Sequence, residues 1–292
     1  MLDLIITPLL AALIILLMHA YLGLHVLSRG VIFVDLAFAQ IAAMGTTAAL
    51  LVGLEHGTPG SLVFALVFTA VGALVFSFTR LENSPVPQEA IIGIAYVVAS
   101  AAVLLLAGFT AEGAEHIRET LTGNLIWVNW RTVFHLTIAY AVFGALHWVF
   151  RRQFLGASFE VEKAKRARLW DFLFYLSLGF VISFSVDIAG VLLVFSMLVI
   201  PGVIAFLFTD HLVRALLIAW GVGALAVIGG IVSSFVWDIT TGPLLVVAFG
   251  LSLVIAAVVR PIIGARTGTV IQLPDEDMDP GGERDQTGRS SG

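Results

Sequence analysis

The chain has 292 residues, 59% of them hydrophobic and only 12% charged. Soluble domains run at about 45–50% apolar and about 25% charged, so an ordinary water-soluble enzyme and a charge-rich disordered chain are both excluded. There is no cysteine, which excludes a disulfide framework, a thiolate zinc site, an iron–sulfur cluster and a cysteine nucleophile. The net charge of −5 is concentrated at the C-terminus, where residues 272–292 hold six acids and two bases. The remainder is almost neutral and carries no basic nucleic-acid surface.

A membrane-crossing helix needs roughly 20 apolar residues. Candidate runs occur at 4–27, 31–54, 61–79, 89–109, 132–150, 170–186, 188–208, 212–235 and 241–259. The expected fold is all-α, a polytopic membrane bundle of eight or nine transmembrane helices. Turn-forming clusters separate several runs: Ser28-Arg29-Gly30, Gly57-Thr58-Pro59-Gly60, Asn83-Ser84-Pro85-Val86-Pro87 and Thr240-Thr241-Gly242-Pro243. The runs are continuously apolar, so a porin-like barrel with alternating polarity is excluded. The first run lacks a basic flank and carries Asp3, and it reads as a helix of the protein, not a signal peptide. Residues 1–263 form the expected membrane domain. Residues 264–292 read as a disordered acidic cytoplasmic tail.

Lys and Arg set the expected orientation. The segment between the fifth and sixth runs holds Arg151, Arg152, Lys163, Lys165, Arg166 and Arg168 and is assigned to the cytoplasm. Alternating from there puts Arg29, Arg80, Arg214, Arg260 and Arg266 inside as well, leaving Arg118 and Arg131 outside. The expectation is a multi-pass protein of the cell (inner or plasma) membrane, N-terminus outside and C-terminus inside.

Ionisable groups within a span are expensive and mark candidate sites. Asp35 and His19 read as the deepest, with Gln40 on the same helix as Asp35 but roughly 140° away around it. Asp35 has two readings: a structural bridge paired with Arg29 or a backbone donor, or a contact in a conduction path. His19 has the same two, with the hydrogen-bonded bundle histidine preferred. Glu89, His147 and Asp187 read as interfacial, and Glu112, Glu115 and His116 as a solvated outer loop. No catalytic constellation is visible. Lys163 and Lys165 are the only lysines, so no nucleotide loop of the Gly-rich, Lys-containing kind is present.

Six stretches, in order, resemble the membrane permeases of zinc, manganese and iron ABC importers. They are Arg29-Gly30-Val31-Ile32-Phe33-Val34-Asp35, Ala90-Ile91-Ile92-Gly93-Ile94, Leu121-Thr122-Gly123-Asn124-Leu125-Ile126, Phe159-Glu160-Val161-Glu162-Lys163-Ala164, the helix from Val191 through Pro201 to Ala205, and Asp238-Ile239-Thr240-Thr241-Gly242-Pro243. The resemblance covers 29–260. It implies a fold similar to vitamin B12 and metal-chelate importer permeases, and a homodimer seated in membrane lipid on two copies of a cytoplasmic ABC ATPase. An extracytoplasmic protein delivers the metal. The divalent cation is cargo, and no cofactor is stably bound.

In this reading 158–168, with Phe159, Glu160, Glu162, Ala164 and Arg168, forms a short helix that docks on the ATPase. A second inner contact spans 201–214, with Pro201 breaking its helix and Asp210 and Arg214 in the cytoplasmic turn. Asp35 faces a channel between the two permeases and touches the metal, with His19 and Gln40 as lesser path residues. One departure bears on the metal: many members of the family place a His four residues after the Asp, where this chain has Ala39. Thr209-Asp210-His211-Leu212-Val213-Arg214 resembles a stretch of chelate permeases, so a siderophore or cobalamin permease is the alternative. An ion-coupled secondary transporter and a membrane scaffold are the alternatives of other classes.

Overall fold

A computed structural model describes residues 2–55, 57–79, 86–109, 113–159 and 167–262. The expected tail and Glu160, Glu162 and Ala164 of the docking element lie outside the described residues. The helices are α1 (Leu2–Arg29), α2 (Val34–Leu51), α3 (Pro59–Thr79), α4 (Gln88–Ala107), α5 (Gly113–Thr122), α6 (Trp130–Val149), α7 (Arg151–Phe159), α8 (Ala167–Ala189), α9 (Val191–Phe208), α10 (Leu212–Trp237) and α11 (Thr241–Ile262), with a 3₁₀ turn at Leu125–Trp127. Among the described residues, nine of these helices are long and apolar enough to cross a membrane. In hydrocarbon every backbone N–H and C=O must be satisfied within the chain, which favours helices throughout.

The middle of the bundle is made by α1, α2, α8 and α9, the helices with the largest buried shares. α2 lies against α3, α4 and α8, whereas α1 lies against α9, α10, α6 and α7. On the periphery, α4, α6, α10 and α11 turn bare apolar side chains outward, among them Leu105, Val142, Leu225 and Val258. In a bilayer these face lipid or another protein at no hydrophobic cost. Side-chain pairings fix the directions: Arg29 meets Asp171 and His19 meets Ser185, so α1 and α8 are antiparallel. Gly23 abuts Leu198 and Gly202 abuts Leu27, so α1 and α9 run together.

Three details differ from the sequence expectation. The sixth span runs to Ala189 and the break falls at Gly190, because Gly190 takes φ +77° while Asp187 stays helical in the last turn of α8. α9 continues through Pro201 to Phe208. The missing N–H removes one rung of the ladder without ending the helix. Two short helices, α5 and α7, occupy connections read as loops.

Candidate functional site

Tyr21, His25 and Arg29 are four residues apart, and that spacing stacks them on one face of α1. Opposite lie α6, α7 and α8, and together they enclose a buried polar network. Tyr21 Oη is 3.2 Å from His147 Nδ1, and His147 Nε2 is 2.9 Å from Ser177 Oγ. His147 also stacks on Phe154 with ring centroids 4.0 Å apart and 6° between planes. His25 Nδ1 lies 2.8 Å from Ser158 Oγ, which also accepts from Arg29 Nε at 2.9 Å. Arg29 Nη1 donates to Asp171 Oδ1 at 2.6 Å, and its guanidinium sits 4.0 Å over the Phe174 ring.

α1 ends just beyond this network. Gly30, at φ +67°, donates to Leu27 O, and Val31 donates to Val26 O. This paired closure demands a left-handed residue and accounts for the Arg-Gly pair in the first motif. The chain then turns through Ile32 and Phe33 into α2. Phe33 N donates to Glu89 Oε1 at 3.0 Å, so the acid preceding the Ile-Gly motif of α4 caps the start of α2.

Asp35 is the second residue of α2, in its first turn and not in mid-span. Residues 31–33 form the turn where the sequence pattern extends the helix, which moves the acid to the helix end. Asp35 is 1% exposed, enclosed within the chain, and its Oδ1 has no hydrogen-bond partner. Arg29 binds Asp171, so the expected Asp35–Arg29 bridge is not formed. Gln40 is buried on the same helix. His19, fully buried in α1, engages Ile15 O through Nδ1 at 2.9 Å and Ser185 Oγ through Nε2 at 3.1 Å. The bonds fit the bundle-histidine reading. Among the described residues there is no group of three His, Asp or Glu that could cage a metal.

Phe159 ends α7, and its ring lies 5.3 Å from that of His25. Arg168 is exposed in the first turn of α8. Pro201 is buried in α9, Asp210 is in the turn after it, 3.8 Å from His211 Nε2, and Arg214 is exposed on α10. The sequence reading overlooked His25, Ser158 and Asp171, and took His147, 2% exposed, as interfacial. The i, i+4, i+8 stripe from Tyr21 to Arg29 was the available signal.

At the opposite end three motifs converge. Gly123 takes φ +68°, and a Cβ there would sit 2.3 Å from Ala189 C; one on Gly190 would sit 2.4 Å from Gly123 N. Asn124 N donates to Ile188 O at 3.0 Å, and Gly242 lies against Thr122 O.

The model of the ABC 3 transport family matches residues 1–260. The chain belongs to the ABC 3 transport family. It is a multi-pass membrane permease of an ABC transporter. The manganese transport system membrane protein MntC of Halalkalibacterium halodurans is 25% identical over 88% of this chain and 87% of its own. The chelated iron transport system membrane protein YfeD of Yersinia pestis is 30% identical over 62% of this chain and 63% of its own. PsaBC from Streptococcus pneumoniae, solved with a Fab, shares the fold: TM-score 0.69 at 21% identity, covering 86% of this chain and 89% of that one.

Proposed function

We propose that this permease carries a divalent transition metal, Mn²⁺ or Fe²⁺, into the cell as a dimer on two separate ATPase subunits, loaded by an extracytoplasmic metal-binding protein. The observation that carries this reading is the family match over 1–260 together with relatives named for manganese and iron transport. Having only Lys163 and Lys165 and no Gly-rich nucleotide loop, the chain depends on another subunit for ATP. The basic residues support an N-terminus outside and a cytoplasmic C-terminus: with Arg284 and Arg289 left out, eleven fall on the inner side and two on the outer. The bare faces of α4, α6, α10 and α11 suit lipid and a second permease.

Asp35 is the proposed metal contact. A buried carboxylate oxygen with no partner carries a penalty of several kcal/mol, which a divalent cation offsets. Because Asp35 is 1% exposed, the ion reaches it only when the helices around it part. Gln40 is a lesser path residue, whereas His19 commits both ring nitrogens to Ile15 and Ser185 and belongs to the bundle. Ala39 leaves no imidazole one turn beyond Asp35, which suits oxygen-preferring Mn²⁺ over Zn²⁺. The element 158–168, with Phe159 and Arg168, is the proposed ATPase contact, and 201–214 the second.

The test is uptake of radioactive Mn²⁺ by vesicles holding the permease with its ATPase and binding protein. Asp35→Asn keeps the shape and removes the charge. Uptake should fall about 10–100-fold, the range seen when a supporting group is removed from a metal site, with the complex still assembling. Unchanged uptake makes Asp35 structural. Uptake of chelated iron but not of the free ions selects the chelate alternative.

A further inference from the structure

One guanidinium holds the chain on both sides of segment 160–166. α7 leads into the segment through Ser158 and Phe159, and α8 leads out of it, with Asp171 in its second turn. Arg29 donates from Nε to Ser158 and from Nη1 to Asp171. The Arg29 and Asp171 side chains are 1% and 4% exposed. Ser158 is held a second time by His25, and Phe154, one turn earlier in α7, is stacked on His147. Both His147 nitrogens are engaged and a cation already lies beside His25, so the network is no seat for a metal. Arg29 is also the last residue of α1, directly before the turn that leads to Asp35.

We propose that Arg29 is a positioning residue: it clamps the stems of segment 160–166 to the end of α1, so that a displacement imposed on that segment moves the α1–α2 turn, and Asp35 with it, as one body. This rests on the reading of 158–168 as the ATPase-facing element. The Arg29 fork serves two partners from a single planar group, which a lysine ammonium cannot reproduce in the same geometry.

The readout is Mn²⁺ imported per ATP hydrolysed by the complete transporter in vesicles. Arg29→Lys should lower that ratio roughly 10-fold, a typical coupling factor. The chain has no native cysteine, so a His25→Cys/Ser158→Cys pair can be joined at will. Reduced, it should be uncoupled; joined by a short bifunctional thiol reagent, it should regain coupling. A reduced pair at the unmodified ratio, or a joined pair that stays uncoupled, overturns the clamp. If Arg29→Lys does not assemble, the cysteine pair decides. Spin labels on exposed Gln153 and Phe33 give a reading independent of cargo. Their distance should be the same in the nucleotide-free and ATP-bound complex, and a nucleotide-dependent change refutes transmission as one body. A constant distance in a complex that hydrolyses ATP but imports no Mn²⁺ supports the clamp and rejects the metal reading alone.

Discussion

Removing one member of the Arg29–Asp171 pair should cost far more than removing both. The pair is buried, 2.6 Å from nitrogen to oxygen. Deleting one partner of such a pair typically costs about 3–5 kcal/mol, because it strands the other charge, whereas a well-packed apolar replacement of both is close to neutral. In Asp171→Leu the guanidinium keeps Ser158 and the Phe174 ring, a desolvated cation–π contact of about 2 kcal/mol, which holds the loss to the lower end of that range. The loss therefore stays near 3 kcal/mol. It should appear as a melting-temperature drop on the order of 10 °C, followed by tryptophan fluorescence of the detergent-purified permease. Arg29→Met/Asp171→Leu should recover most of that drop while remaining uncoupled in transport. If the double variant melts no higher than Asp171→Leu, the stranded-charge account is wrong.

Gly123→Ala should destabilise by about 2–5 kcal/mol, combining a left-handed backbone with overpacking, whereas Gly229→Ala, whose Cβ meets nothing within 4 Å in the middle of α10, should be neutral or stabilising in the same melt. Equal melting temperatures would contradict the close contact at Gly190. A cysteine replacing Asp210 should react with an impermeant thiol reagent in inside-out vesicles and remain unlabelled in intact cells; labelling from outside reverses the proposed orientation.

The spans found among the described residues were legible because long apolar runs have few alternatives in a bilayer, and the boundaries were less so. Asp187 drew the expected break two or three residues early, since a charge at a helix end looks like a loop. The left-handed glycine behind it was the true stop. α7 is only nine residues long and of mixed composition, too short for its periodicity to stand out. Arg29 was read as a topology charge and as a candidate partner of Asp35, because one sequence does not say which carboxylate a buried arginine finds. Asp171 went unremarked because it lies beside the start of its span, where acids are ordinary. The structure buries it against Arg29.

The motifs that carry the family resemblance lie at helix ends, and the contacts give a reason. Mid-span positions against lipid accept almost any apolar residue, while the ends must close backbone hydrogen bonds in fixed geometry. At one end, Arg29-Gly30 closes α1, and Glu89 caps the start of α2 from beside the Ile-Gly motif. At the other, the Leu-Thr-Gly-Asn stretch and the Thr-Thr-Gly-Pro turn meet where Thr122 O touches Gly242, and Gly123 rests on Gly190. Motifs far apart in sequence thus form two junctions, one at each end of the bundle. Asp35 lies two residues beyond the Phe33 N–H of the first junction. Its position is therefore set by Arg29 on one side and Glu89 on the other, and with Asp35 as the proposed metal contact a change at either should lower Mn²⁺ uptake without touching the carboxylate itself.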